Sequence, residues 1–99
     1  MSFTKNVEPL GAPGVARQLA AGASSANTAL TDGVYRVSIR AVGADIRFEI
    51  GSGAQTANAN TSHFIGKNER LDFAVPFKSN IAIIRDASTD GTLELTELV

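Results

Sequence analysis

From residue 34 to residue 99 the chain repeats one local pattern: short stretches in which apolar and polar residues alternate, each closed by a turn rich in glycine or aspartate. Alternation with a period of two sends successive side chains to opposite faces of a strand. Each stretch therefore makes a ribbon with one apolar face, and several such ribbons can bury those faces only against one another. The pattern predicts an all-β fold, a small antiparallel β-sandwich of jelly-roll-like form. A length of 99 residues provides for one domain and one core.

Residues 1–14 stand apart from this pattern. Pro9, Gly11, Pro13 and Gly14 oppose both a helix and a regular ladder, so residues 1–14 are expected to form an extended N-terminal arm and residues 15–99 the β-sandwich. Such an arm is either disordered or packed along the domain or a neighbouring subunit, in which case Pro9, Leu10 and Pro13 are its candidate contacts. Over residues 15–30, Val15, Arg17 and Leu19 alternate with small residues before Gly22 and a Ser-Ala-Asn cluster. Two short strands with a bend are expected there. A helix over residues 16–21 competes on propensity, but six residues bounded by glycines make a poor one.

The clearest alternation follows Asp32-Gly33. Tyr35, Val37, Ile39 and Ala41 share a face predicted to be core, opposite Arg36, Ser38 and Arg40; Ile46, Phe48 and Ile50 then alternate with Asp45, Arg47 and Glu49. Gly43-Ala44 between them suits a two-residue type II′ hairpin, which needs φ > 0 at its first central position. That register sets Ala41 opposite Ile46, Ile39 opposite Phe48 and Val37 opposite Ile50 on the apolar face. On the outer face it sets Arg40 opposite Arg47, an unfavourable like-charge pair unless an acidic group lies close by. Arg36, Arg40 and Arg47 are thus a candidate docking patch for carboxylates on a partner, since a rigid sheet presents guanidinium forks for bidentate contacts. The alternative is a solvated face with diagonal salt bridges.

Further along, residues 51–62 are small and polar without an apolar period, which predicts a long loop. Leu71, Phe73 and Val75 mark a strand ended by Pro76, after the turn at Lys67-Asn68-Glu69. The continuous run Ile81-Ala82-Ile83-Ile84 predicts a strand covered on both faces, by the sandwich on one side and a subunit on the other. Leu93 and Leu95 mark the last strand, with a longer turn or a bulge expected near residues 87–89.

Chemistry-bearing residues are few. His63 is the single histidine, and its neighbours Thr61 and Ser62 do not pair with it along one strand face; it reads as a partly exposed loop residue, although a triad assembled from distant residues is a matter of geometry and not of spacing. One His, no Cys and no Asp-x-Asp calcium pattern leave no metal site to expect, and Gly51-Ser52-Gly53 lacks the Gly-Lys and helix of a phosphate loop. No cofactor and no enzymatic activity are expected. Asn58, Asn60 and Thr61 could hydrogen-bond sugar hydroxyls, which makes a glycan- or ligand-binding module a rival reading, against which stands the absence of Trp.

Nine Lys+Arg against ten Asp+Glu give a net charge of -1, with no basic stripe to follow a phosphate backbone, so nucleic acid is not an expected partner. No stretch approaches a membrane span and residues 1–10 lack the order of a signal peptide, so no membrane association is expected and the chain should be made and kept in a cytoplasm or in something assembled there. Without disulfides, a domain this small commonly gains stability by self-association, so a homo-oligomer is expected.

The order of Ser25-Ala26-Asn27-Thr28-Ala29-Leu30, the strand from Val34 to Ile39, Ile46-Arg47-Phe48-Glu49-Ile50-Gly51, Phe73-Ala74-Val75-Pro76, Ile81-Ala82-Ile83-Ile84 and Gly91-Thr92-Leu93 resembles the small β-sandwich accessory virion proteins of tailed bacteriophages, some of which are decoration (cement) proteins. The likeness covers about residues 17–97 and rests on the spacing of common residues. It implies a non-enzymatic structural protein of the virion, assembled in a bacterial cytoplasm, whose partners are the major capsid protein or other virion proteins. A tail, neck or fibre component would use the same fold at lower copy number.

Overall fold

The computed structural model describes residues 12–99. These form eight strands and no helix: β1 (Pro13–Ala21), β2 (Ala26–Ala29), β3 (Arg36–Val42), β4 (Ile46–Ser52), β5 (His63–Ile65), β6 (Arg70–Ala74), β7 (Ser79–Arg85) and β8 (Gly91–Leu98). Two four-stranded antiparallel sheets pack face to face, one in the order β1-β8-β3-β6 and the other β2-β7-β4-β5. The pairs β1–β8, β2–β7, β3–β6 and β4–β5 are nested, the first strand with the last and so inward. Every connection changes sheet except that from β4 to β5.

The core lies between the sheets and is built by the alternation. Val37, Ile39 and Ala41 of β3 and Leu93 and Leu95 of β8 face Ile81 and Ile83 of β7, Ile46 and Phe48 of β4 and Ile65 of β5, all buried. Each fully buried aliphatic side chain contributes about 1.5–3 kcal/mol. Phe48 and Phe73 stack with ring centroids 5.8 Å apart and planes 5° apart, joining β4 of one sheet to β6 of the other.

The hairpin expected at Gly43-Ala44 is not formed. β3 pairs with β6 and β8, and β4 with β5 and β7, so the two strands belong to different sheets. Inward apolar alternation is satisfied equally by strands side by side and by strands facing each other across a core, and here the second arrangement holds. Gly43 does adopt the positive φ the turn required, at 90°, but in a corner between layers. That corner rests on Gly91: a Cβ there would lie 3.1 Å from the Val42 carbonyl oxygen and 3.2 Å from the Ala44 side chain. The link from β7 to β8 is likewise a change of sheet, which replaces the turn or bulge expected within one ladder.

Tyr35 is not in the core. It precedes β3, is 57% exposed and has its ring 6.2 Å from that of exposed Phe77, while Val34 takes the buried position. At the N-terminal end, Pro13 and Gly14 belong to β1, and Ala12 and Val99 exchange backbone hydrogen bonds of 2.8 Å. Pro9, Leu10 and the rest of the expected arm before residue 12 lie outside the described residues.

The outer side of β7 is covered by the chain itself where a subunit was expected. The segment 53–62 between β4 and β5 crosses that face: the Gln55 amide donates to Asn27 Oδ1 of β2 at 2.8 Å, the Ala57 amide donates to Ser25 Oγ at 2.8 Å, and the Gln55 side chain lies against Gly51. Ala57 and Ala82 are both buried.

Candidate functional site

The outward residues of β3 and β6 come together on the exposed face of the β1-β8-β3-β6 sheet. Register places Arg40 between Arg70 on β6 and Glu94 on β8, Ser38 between Asp72 and Thr96, and Arg36 between Ala74 and Leu98. Parity dictates this: Leu71 and Phe73 turn inward against the core, so Arg70 and Asp72 must turn out. Arg70 Nη1 donates to Ser38 Oγ at 2.8 Å and Arg40 Nη2 donates to Asn68 Oδ1 at 3.4 Å. Asn68 sits at φ 68°, in the turn that brings the chain into β6.

This face therefore carries three guanidinium groups against two carboxylates, Asp72 and Glu94. Arg40 and Arg70 stand directly opposite, a spacing of about 4.5–5.5 Å between Cβ atoms. Like charges so placed repel, and an anionic group arriving from outside relieves the repulsion while accepting from both forks. The like-charge pair that the sequence suggested between Arg40 and Arg47 is not formed; Arg40 stands opposite Arg70 instead.

Arg47 is on the other sheet and its side chain is committed. Nε donates to Asp86 Oδ1 at 2.7 Å, Nη1 donates to the Ser62 carbonyl at 3.1 Å, and the guanidinium carbon lies 4.9 Å from the centroid of the Phe64 ring. It clamps the end of the 53–62 segment to β4 and to the corner after β7. The predicted trio is thus divided: Arg36 and Arg40 share a face, Arg47 does not, and Arg70 is the member that sequence reading missed. Its signal was the alternation of Leu71 and Phe73; what local sequence did not supply was that β6 lies beside β3.

The polar segment 53–62 spends much of its hydrogen-bonding capacity inward. The Asn58 amide donates to Ser62 Oγ at 2.7 Å, the Asn60 amide donates to Asn58 Oδ1 at 2.8 Å, and the Gln55 side-chain amide donates to the Ser52 and Gly53 carbonyls. His63 begins β5, largely exposed, with its ring 5.5 Å from that of Phe48 and Nε2 4.0 Å from Glu49 Oε1. It borders an open apolar groove of about 480 Å³ between the edges of the sheets, walled by Phe48, Ile50, Phe64, Leu71 and Phe73. Among the described residues no cluster of three His, Asp or Glu could hold a metal ion, and no helix is long and apolar enough to cross a membrane.

A buried ionic site lies at one end of the core. Glu97, 1% exposed, accepts from Arg17 Nε at 3.1 Å, Arg17 Nη2 at 3.0 Å and the Thr31 amide at 3.0 Å, all at Oε2. Burial pushes its carboxyl upward, but the Thr31 hydrogen bonds and the Arg17 guanidinium outweigh this and hold it below its ordinary value. The network ties β1 and the β2–β3 connection to β8.

Fold and site together define an all-β, two-sheet sandwich-like domain with a basic patch on one sheet. Compared with known proteins, the chain matches no family model, no curated protein and no solved structure.

Proposed function

We propose that this chain is a non-enzymatic structural protein of a tailed-phage virion, a capsid decoration protein that stabilises the assembled shell by docking on it through the β3–β6 arginine face. The observation that carries the proposal is the nested strand order, β1-β8-β3-β6 over β2-β7-β4-β5. We read this nested eight-stranded winding as that of a jelly roll, an architecture used in viral shells as well as in lectins. Fold alone does not choose among these uses. The choice rests on the surface: guanidinium donors set on a sheet suit a carboxylate-bearing protein partner, whereas the segment that would serve a glycan has several of its polar groups engaged within itself and with β2.

A docked protein that binds the closed shell and not free subunits shifts assembly toward the shell by mass action, and modest contacts gain strength by repetition. Charge reversal tests the docking face. Arg40→Glu with Arg70→Glu is expected to weaken binding to purified particles about tenfold or more at low salt, with a smaller difference at high salt. Arg47→Gln, on the opposite sheet, is expected to leave particle affinity unchanged. Equal binding by the double variant and the parent would remove this face from the account.

A further inference from the structure

The edges of the two sheets are not equivalent. β5 has three residues and β2 four, with Asn27 of β2 already holding the 53–62 segment. β6 turns Arg70 and Asp72 outward and is followed by Pro76, and charge and proline are devices that discourage a further strand. Among the described residues β1 carries such protection only at its start, where Pro13 and an irregularity of register before Ala16 lie. It is nine residues long, and its exposed side chains, Pro13, Val15, Ala16, Gln18 and Ala20, are uncharged. Its one cation, Arg17, is drawn inward by Glu97. From Ala16 to Ala21 it runs in unbroken register with β8, so its far side presents a regular row of backbone donors and acceptors.

We infer that β1 pairs antiparallel with β1 of a second copy of this chain, making an eight-stranded sheet across a two-fold axis. The occupant follows from the edge itself: an antiparallel strand is complementary to its own two-fold mate, and Ala16, Gln18 and Ala20 offer neither bulk nor charge to keep the mate away. The axis relating antiparallel neighbours is perpendicular to the sheet, so both copies turn the same face outward. The two Arg40 positions then lie five strand spacings apart, about 24 Å at about 4.8 Å each, both pointing to one side. The dimer would present two basic patches to one surface and bind it bivalently. Strand pairing is independent of the virion reading and is measurable on the isolated protein.

Sedimentation equilibrium of the full chain is expected to give twice the chain mass. Hydrogen exchange is expected to slow within residues 13–21 as concentration rises through the dimerisation range. Ala16→Lys with Ala20→Lys should give a monomer whose circular dichroism and melting remain those of a folded β protein, while Ala16→Ser with Ala20→Ser retains the dimer and Ala74→Lys, on the β6 edge, also leaves it intact. A parent protein that stays monomeric, a folded lysine variant that stays dimeric, or exchange in residues 13–21 that ignores concentration would each overturn the inference.

Discussion

Along β8 the inward positions read Leu93, Leu95 and then Glu97, a carboxylate where the alternation would continue with an aliphatic residue. Such a group is tolerated inside only when fully partnered, and Arg17 with Thr31 supplies the partners. Glu97→Gln keeps the shape but not the charge and is expected to lower unfolding free energy by about 1.5–3 kcal/mol, read from urea denaturation. Because the folded carboxyl lies below its ordinary value, the unfolded chain holds its proton more tightly. The stabilisation is therefore present above the ordinary glutamate value of about 4.3 and is lost as pH falls through the folded value. The parent should weaken over that acid range more steeply than Glu97→Gln; parallel pH profiles would show that Glu97 carries no linkage. At Gly91 the constraint is steric. An added methyl meets the Val42 carbonyl and the Ala44 amide, which are backbone and cannot swing aside, so Gly91→Ala is expected to cost about 1–3 kcal/mol, seen as a lower melting temperature. Single residues were legible wherever parity decided: Arg36 and Arg40 outward, Ile39 and Phe48 inward. Tyr35 shares that parity but stands past the end of β3, beside Phe77 at the rim, and parity carries no information on where the opposing layer stops.

Strands were legible as elements and their neighbours were not. The alternations of β3, β4, β6 and β8 and the bend between β1 and β2 all fall where the apolar period places them, because period two is a local property. Which edge meets which is decided by a core shared among strands distant in sequence, and Gly43-Ala44 has the residues of a hairpin while serving as a corner between sheets. The same gap hid Arg70, whose partner strand lies some thirty residues upstream, and it made the cover on Ala82 look like a task for another subunit. Phe48 and Phe73 test the observed layering directly, since they stack only if β4 and β6 face each other across the core. A double-mutant cycle with Phe48→Leu and Phe73→Leu is expected to give a coupling of about 0.5–1.5 kcal/mol. Additive effects would mean that the two rings do not meet.

For the molecule as a whole, nesting first strand with last means that the two ends of the described segment, residues 12 and 99, are held together, through β1–β8 and the bonds between Ala12 and Val99. The sandwich is thereby closed by contacts of the longest sequence separation, and its outer surfaces are free to differ. One sheet is partly roofed by its own segment 53–62 and pinned by Arg47; the other, among the described residues, stays open, with Arg36, Arg40 and Arg70 at one side and the outer edge of β1 at the other. A roofed face and an open one are the division of surface that the proposed attachment would use. Of the function the sequence suggested only a class, attachment by an all-β scaffold poor in reactive residues, and the particle proposed as its partner is not written in any one side chain. The most direct test is quantitative mass spectrometry of purified virions from the source, with the copy number of this chain measured against the major capsid protein. A ratio of one to one, or a simple fraction of it, is the result this account predicts. A handful of copies would move the chain to the tail or neck, and its absence from the particle would contradict the virion assignment altogether.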